Sequence, residues 1–379
     1  MRAPQPAAGS WRSWALAVAI LVGLNALVLH TPLIWGKTTL WVQEPRERLR
    51  WTGFWQVYDV ARTLHRPQPD AAERVALIGN SLMWFAAQDA YVERALRQLA
   101  PDADVQVDNL SFFGAKIGDI EIVSRELARL QPSVVVLALG GSELVVTKHL
   151  QLINPTGRLL DAGWRDGPLP PRSRSERVDR WLRTAWPMYR FRHFARAGLA
   201  DRLRPAAADQ SIPTHFGSPA EVLAFLEGAR GTSAVATYEA WRAAPTLEGF
   251  AAFMRARGVP AEPIDPLPDP ATLTLESPGV AVLDRLLARL AAGPWQTFIV
   301  LMPENPLLDA DREGRYHRLG FSARAAEVIG RVAARHAVRV VDGRRWLPAE
   351  AFIDFQHPWP DVSGFQVPLA EEILRARQS

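Results

Sequence analysis

Residues 74–87, RVALIGNSLMWFAA, open as a short apolar run and stop abruptly on the small polar tripeptide Gly79-Asn80-Ser81. The run predicts a buried strand over 74–78, and the apolar residues after the tripeptide predict a helix. Ser81 is therefore expected at the carboxyl end of a strand, where the chain turns into a helix. Asn or Ser at such a turn is also a common helix N-cap, and taken alone the stretch favours a simple cap over a reactive serine.

The same alternation of strand and helix continues along the chain. Apolar runs predict further strands within 105–114, 133–141, 296–303 and 338–343, and helical spacing of apolar residues predicts helices at Tyr91–Leu99, Ile117–Leu130, Val280–Leu290, Ala323–Ala334 and Leu369–Ala376. Five strands separated by helices predict an α/β protein with a doubly wound, flavodoxin-like parallel sheet. In such sheets the functional residues lie just past the carboxyl ends of the strands.

Composition narrows the chemistry that this sheet can carry. The 379 residues are 48% hydrophobic and 22% charged, which is ordinary for a globular protein, and the formal net charge is only +4. The chain has no cysteine, which excludes disulfides, thiolate metal ligands and a cysteine nucleophile. The absence of cysteine leaves the redox compartment open, because an oxidising compartment permits disulfides without requiring them.

The N-terminal segment 13–36, SWALAVAILVGLNALVLHTPLIWG, has no charged residue if His30 is neutral, and its length meets the roughly 20 residues that a membrane span needs. Trp14 and Trp35 lie near its ends, as interfacial aromatic residues do. A cleaved signal peptide and a buried core helix are the alternatives, but a signal core is shorter. We therefore expect an uncleaved anchor. Basic residues on both sides leave its orientation open.

One histidine has a partner at the predicted edge of the sheet. His357 follows Asp354 by three residues in AFIDFQHPWPDVSGF, between the last strand and the last helix. A carboxylate at this spacing can accept the imidazole N–H while the other ring nitrogen takes a proton from Ser81. The pattern therefore predicts that Ser81, His357 and Asp354 form a catalytic set that needs no metal or cofactor. The other histidines, including His336, lack this combination of partner and position.

The order of these motifs resembles the SGNH or GDSL hydrolase superfamily. GNSL supplies Ser81, NLSFFGAKIGD supplies Gly114, LGGSEL occupies the third block, and DFQH supplies Asp354 and His357. The resemblance covers roughly residues 74–150 and 280–376, and it implies an oxyanion hole formed by Ser81, Gly114 and Ser142.

Two positions depart from the pattern of that family. Asn80 stands where the family usually has Asp, and Ser142 stands where the family has the Asn that donates to the oxyanion. Losing one such donor costs about 3–4 kcal/mol of transition-state stabilisation. A serine hydroxyl can donate one hydrogen bond, so both an active site and a slow or degenerate one fit the sequence.

The stretch between the third block and the fourth predicted strand is too long for a plain loop, so a helical insertion is expected. Its segment 172–204 interleaves arginines with Trp, Tyr and Phe, which fits a helix on an anionic membrane surface, a helix packed on the catalytic domain, or less well a nucleic-acid contact. Helices are also expected at 217–231 and 246–258. The predicted divisions are a tail (1–12), the anchor (13–36), a linker (37–72), the first part of the SGNH domain (73–150), the insertion (151–278) and the second part (279–379).

Membrane-anchored members of the superfamily include proteins resembling those of alginate O-acetylation and teichoic-acid D-alanylation, which act outside the cytoplasmic membrane beside a membrane-bound O-acyltransferase. This sequence is similar to them in layout, with an anchor, a short linker and a catalytic domain that carries an insertion. The resemblance implies a single-pass inner-membrane serine esterase or O-acyltransferase that faces the periplasm or cell exterior and acts on a cell-surface or exported glycan. A lipid or small-ester hydrolase and a non-catalytic glycan-binding or assembly protein are the alternatives.

Overall fold

The computed structural model describes most of the predicted sheet and its helices. The described residues are 10–30, 48–50, 73–112, 114–145, 174–186, 211–213, 245–256, 269–311, 320–352, 354–359 and 364–378, with the isolated positions 60, 63, 64, 189, 240, 241 and 243.

Five parallel strands form the main sheet, and two short strands pair apart from it. The strands are β1 (Arg48–Arg50), β2 (Glu73–Ile78), β3 (Val105–Asn109), β4 (Val134–Leu139), β5 (Ser211–Pro213), β6 (Gln296–Leu301) and β7 (Arg339–Asp342). The order in the sheet is β3-β2-β4-β6-β7, while β1 and β5 form an antiparallel pair. This is the flavodoxin-like order, in which the chain reverses direction across the sheet beside β2.

Helices cover both faces of the main sheet. The helices are α1 (Ser10–His30), α2 (Ser81–Ala86), α3 (Asp89–Leu99), α4 (Ile117–Glu126), α5 (Arg174–Ala185), α6 (Leu247–Ala256), α7 (Pro278–Ala291), α8 (Phe321–Arg335) and α9 (Gln366–Gln378). Helices α3 and α9 pack against each other, and α7 packs against α4 and α8. Every residue of β4 is buried, which explains its unbroken apolar sequence.

The sequence prediction of an α/β fold with a five-stranded parallel sheet is confirmed. One helix prediction was too long: α4 ends at Glu126, and Leu127–Arg129 form a turn of 3₁₀ helix instead. Leu127 and Leu130 are nevertheless buried. Their spacing, which predicts a continuous helix, is therefore also compatible with a 3₁₀ turn. The helix predicted at 246–258 is present as α6, and the one predicted at 217–231 lies outside the described residues.

The chain divides into two compact units. The first comprises Met1–Gln43 and Asp161–Ala207, and includes α1 and α5; the second comprises Glu44–Leu160 and Ala208–Ser379, and includes the main sheet. Residues 31–36 of the predicted anchor lie outside the described residues. Within the part of the chain that the structure describes, we find no helix that is both long and apolar enough to cross a membrane.

A glycine permits close packing where the chain returns to the sheet. Gly279 lies in the first turn of α7, and a Cβ atom added there would stand 2.0 Å from the carbonyl oxygen of Leu144. Leu144 belongs to the turn that follows β4. The start of α7 therefore rests directly on the backbone of that turn, and only a residue without a side chain fits.

Gly279→Ala should lower the free energy of unfolding by about 1–3 kcal/mol or more, the range for overpacked sites, because the new methyl group meets backbone that cannot move aside. Chemical denaturation of the full chain measures this. Gly330→Ala in α8 is the matched control: an added Cβ has nothing within 4 Å, and it should stabilise by about 0.5–1 kcal/mol. Equal effects of the two substitutions would contradict the packing argument.

Candidate active site

Ser81 begins α2 directly after the carboxyl end of β2. The side chain of Asn80 caps this helix, because its Oδ1 accepts a hydrogen bond of 2.8 Å from the backbone N–H of Leu82. Met83, Trp84 and Phe85 are buried, so the short helix is fixed to the core on its far side. Ser81 itself is 9% exposed. The cap predicted as the alternative at this position is therefore real, but Asn80 supplies it and leaves the Ser81 hydroxyl available.

The hydroxyl of Ser81 faces His357. Ser81 Oγ lies 2.9 Å from His357 Nε2, and His357 Nδ1 lies 2.7 Å from Asp354 Oδ2. Since an ionised carboxylate only accepts hydrogen bonds, Nδ1 carries the proton and Nε2 is left to accept from the hydroxyl. The structure thus brings together the three residues that the sequence singled out, although 276 positions separate Ser81 from His357.

The other carboxylate oxygen of Asp354 shapes the loop that carries the histidine. Oδ1 accepts hydrogen bonds of 2.7 Å from the backbone N–H groups of both Gln356 and His357. Burial acts to raise the pKa of Asp354, but the electrostatic interaction with His357 and the hydrogen bonds from His357 and Gln356 outweigh it and hold the pKa below its ordinary value. Asp354 is therefore a carboxylate at neutral pH, fixed by both oxygens.

Aromatic rings support the histidine loop, a feature that sequence reasoning missed. The ring of Phe85 lies 5.1 Å from that of His357, and Phe355 meets Phe250 of α6 edge to face at 4.8 Å. Phe250 also contacts Trp241 at 4.7 Å. Helix α6 belongs to the predicted insertion, so part of the insertion buttresses the loop between Asp354 and His357. The sequence offered one signal of this, an apolar face on the helix predicted at 246–258.

The second block follows β3 and is tied to the serine helix. Asn109 Nδ2 donates to the carbonyl of Ala87 at 2.8 Å, and its Oδ1 accepts from the N–H of Ser111 at 3.0 Å. Gly114 has a φ of 69°, a left-handed conformation that favours glycine. Because β3 pairs directly with β2, Gly114 lies in a loop at the same sheet edge as Ser81.

The third block follows β4, the other neighbour of β2. Gly141 has a φ of 92°, and an added Cβ would lie 2.5 Å from that of Ala325. Ser142 is half-buried and begins a 3₁₀ turn, Ser142–Leu144, at the carboxyl end of β4. The structure therefore places Gly114 and Ser142 at the expected edge, on either side of Ser81. Their participation in an oxyanion hole stays a prediction.

Glu143, the residue that follows Ser142, is completely buried beside this edge. The N–H of Gly140 lies 3.2 Å from each of its carboxylate oxygens, and Asn80 Nδ2 donates to Oε1. Burial raises the pKa of Glu143 above its ordinary value, although the N–H groups of the turn and the charge of Lys116 act in the opposite direction. The carboxyl thus joins the serine turn to the third block.

His336 has a carboxylate neighbour that the sequence did not reveal. Its Nε2 lies 2.9 Å from Asp284 Oδ1, between the end of α8 and the outer side of α7. This pair is distant in the fold from the carboxyl edge of the sheet, so His336 takes no part in the arrangement around Ser81. Within the described ranges, no group of three or more His, Asp or Glu side chains could hold a metal ion.

No protein-family model and no curated protein matches the chain. Among solved structures, the chain is similar to an alpha/beta hydrolase enzyme from the metagenome of Lake Arreo, Spain, at 13% identity and a TM-score of 0.36, with 81% of this chain and 96% of that chain covered. It is also similar to a gut microbial diltiazem-metabolizing enzyme at 9% identity and a TM-score of 0.33, with 83% of this chain but only 48% of that chain covered. Both scores are low, so the interpretation of the site rests on its own geometry.

Asp354→Asn should lower the free energy of unfolding by on the order of 2 kcal/mol near neutral pH, as expected for weakened hydrogen bonds to a charged group. Because the folded pKa of Asp354 is lowered, its contribution is complete above the ordinary value of 3.8 and is lost as the pH falls through the folded value. The difference in free energy of unfolding between wild type and variant should therefore begin to shrink as the pH falls below about 4.

Asp309→Asn is the control for removing a carboxylate from an ion pair. Asp309 pairs with Arg345 at 2.9 Å, but both side chains are mostly exposed, so this substitution should change stability by less than about 1 kcal/mol. If the free energies of unfolding of wild type and Asp354→Asn differ by the same amount from about pH 7 to about pH 3, the assignment of Asp354 as an ionised carboxylate is contradicted.

Proposed function

We propose that the protein is a serine esterase or O-acyltransferase of the SGNH type. The observation that carries the proposal is the continuous contact from Ser81 Oγ through His357 to the Asp354 carboxylate. These are the groups, in the order and tautomeric state, that activate an alcohol as a nucleophile. The strand order and the four sequence blocks at one sheet edge support the SGNH type in particular.

The proposed reaction passes through an acyl-serine. His357 Nε2 takes the proton from Ser81 as Oγ attacks the carbonyl carbon of an ester, and the Asp354 carboxylate stabilises the imidazolium. The tetrahedral intermediate collapses when the imidazolium returns the proton to the departing alcohol oxygen. A water or sugar hydroxyl then attacks the acyl-serine, with His357 accepting its proton. The second tetrahedral intermediate breaks down when the imidazolium returns this proton to Oγ, which regenerates Ser81 and releases the acid or the acylated sugar.

The negative oxygen of each tetrahedral intermediate needs fixed donors. The proposed donors are the backbone N–H groups of Ser81 and Gly114 and the hydroxyl of Ser142. The N–H of Ser81 belongs to the first turn of α2, and the loops of Gly114 and Ser142 flank it on the neighbouring strands. Preorganised donors of this kind supply much of the rate enhancement in acyl transfer.

A cell-surface or exported glycan is the proposed acceptor or substrate, with the protein attached to the cytoplasmic membrane and its catalytic domain outside. A membrane-bound O-acyltransferase is the proposed partner. The apolar segment 13–36 supports attachment, because large apolar side chains of α1 such as Trp14, Leu16 and Val22 are more than half exposed in the described structure. The resemblance supports the glycan and the partner.

A fluorophosphonate probe tests the proposed nucleophile in the full chain. Ser81→Ala should abolish labelling, since the phosphorus bonds only to an activated hydroxyl, and His357→Ala should slow it by roughly a hundredfold or more, the contribution of a positioned general base. Labelling rates are read by gel fluorescence. Ser133→Ala is the control: Ser133 lies before β4 at the opposite sheet edge and donates to the carbonyl of Arg74, so its loss should leave labelling unchanged.

An unlabelled wild-type protein would contradict the catalytic proposal and favour the non-catalytic assembly role. Labelling that persists in Ser81→Ala would contradict the assigned nucleophile. Once labelling is established, hydrolysis and transfer differ in product: an esterase releases the acyl group to water, whereas a transferase moves it to an added glycan.

Helix α5 is proposed as a second membrane contact. One side of the helix is linked to the residues that follow it, because the Tyr189 hydroxyl donates a hydrogen bond to Asp179. The Tyr189 ring also stacks on that of Trp186, the residue directly after the helix. Another side exposes Val178 and Trp181, at 51% and 65%, and this face also carries the exposed residues Arg174, Arg177 and Ala185. An apolar strip beside guanidinium groups fits the headgroup region of an anionic bilayer.

Because the chain has no cysteine, a single spin label can report on this face. A nitroxide at Val178→Cys should become accessible to dissolved oxygen and protected from a polar nickel reagent in vesicles of phosphatidylglycerol, measured by electron paramagnetic resonance. The control label at Val367→Cys, on the 44% exposed Val367 of α9, should remain in water. Equal reagent accessibility at both positions would contradict the membrane contact.

A further inference from the structure

Glu143 and Asn80 form a buried polar contact directly under the serine turn. Glu143 is fully buried and Asn80 is 7% exposed, so water does not screen the pair or supply replacement hydrogen bonds. Asn80 Nδ2 donates to Glu143 Oε1, and the N–H of Gly140 approaches both carboxylate oxygens at 3.2 Å. A buried group that loses such a partner keeps its full desolvation cost.

The contacts of Asn80 define which way its amide faces. Its Oδ1 accepts from the N–H of Leu82, so only Nδ2 is left to face Glu143. An amide has one accepting and one donating end, whereas both oxygens of the Glu143 carboxyl receive an N–H and act here as acceptors. The observed arrangement is therefore satisfied by an amide at 80 and a carboxylate at 143, and exchanging either residue alone creates a mismatch.

The pair connects the serine turn to the turn after β4. Gly140 directly follows β4, and Leu82 of α2 packs so closely that a Cβ at Gly140 would lie 2.6 Å from its Cδ1. Asn80 immediately precedes Ser81, whose hydroxyl must stay within hydrogen-bond distance of His357. A shift of the Asn80 amide would therefore move the first turn of α2 and the nucleophile with it.

We infer that Glu143 is a positioning residue that acts through Asn80: its carboxylate holds the capping amide, and the amide holds Ser81 opposite His357. The inference rests on the proposed function for its rate measurements, but the contact itself does not. The competing interpretation is that Asn80 is an ordinary N-cap and Glu143 merely fills space.

Substitution of Asn80 separates the two interpretations. Asp is as good an N-cap as Asn, so a simple cap predicts that Asn80→Asp is tolerated. The positioning pair predicts a large loss, because two carboxylates would then face each other in a buried site. Glu143→Gln alone leaves an amide N–H against the N–H of Gly140 or against Asn80 Nδ2, so it should also be damaging.

The double variant Asn80→Asp/Glu143→Gln restores a matched donor and acceptor between the two side chains, with residue 143 now donating and residue 80 accepting. One carboxylate oxygen of the introduced aspartate still accepts from the N–H of Leu82 and caps α2. The introduced glutamine donates its N–H to the other oxygen, and its carbonyl accepts from the N–H of Gly140. The experiment compares wild type, both single variants and the double variant as full chains. It measures fluorophosphonate labelling rates, kcat and KM for p-nitrophenyl acetate, and unfolding midpoints.

Each single substitution should lower the labelling rate and kcat by roughly ten- to a hundredfold, with KM within about twofold, and the double variant should recover to within about threefold of wild type. A fall in kcat at constant KM, with rescue by the second substitution, is not expected from a space-filling role. Wild-type rates in Asn80→Asp, or a double variant no better than the worse single variant, would overturn the inference.

The control makes the same chemical change at another buried cap. Asn305 is fully buried and its Oδ1 accepts from the N–H of Leu307, but its Nδ2 has no hydrogen-bond partner among the described residues. Asn305→Asp therefore measures the stability cost of burying a carboxylate at a cap, and its labelling rate should stay within about threefold of wild type.

The unfolding midpoints keep the inference separate from the proposed function. If wild type is neither labelled nor active but the two substitutions are strongly non-additive in stability, the proposed function fails and the pair stands. If wild type is active but the substitutions are additive in both rate and stability, the pair fails and the proposed function stands.

Discussion

The parallel pairing of β2 with β3 on one side and β4 on the other is the constraint on which the site depends. Parallel strands end at the same edge, so this pairing brings three loops from separate parts of the chain to one place. The register sets Leu77 opposite Asn109 and Ile78 opposite Leu137. The backbone pairing alone therefore places the loops of Gly114 and Ser142 on either side of the serine turn.

The fold was largely predictable from the sequence because the central strands of the sheet are buried on both faces. An unbroken apolar run such as that of β4, with helices before and after it, is typical of a strand covered on both sides. The end of α4 was not predictable, because Leu127 and Leu130 have the spacing of a helix but lie on a 3₁₀ turn and just after it. Apolar spacing reports burial, and the tightening of a last turn changes burial little.

The site, like the fold, has residues that the sequence could predict and residues that it could not. Ser81, Asp354 and His357 could be selected because nucleophile, base and carboxylate are recognisable residue types at recognisable sheet positions. Glu143 could not, because a glutamate in a polar turn usually faces water and only the folded structure shows it buried against Asn80. The contact between α6 and the histidine loop was likewise hidden, since it joins two segments whose approach no local pattern encodes.

The direct pairing of β4 with β6 has a consequence for how this protein can change over time. These two strands stay in continuous register from Val134 opposite Gln296 to Leu139 opposite Leu301, although the chain leaves the sheet for a long excursion between them. The entropy of closing such a loop grows only with the logarithm of its length. Residues can be gained, lost or replaced elsewhere within the excursion at little thermodynamic cost, provided that α6 still packs against the histidine loop and the start of α7 still meets the turn after β4 on return. Lineages can therefore diversify what surrounds the serine while the framework that holds it stays the same.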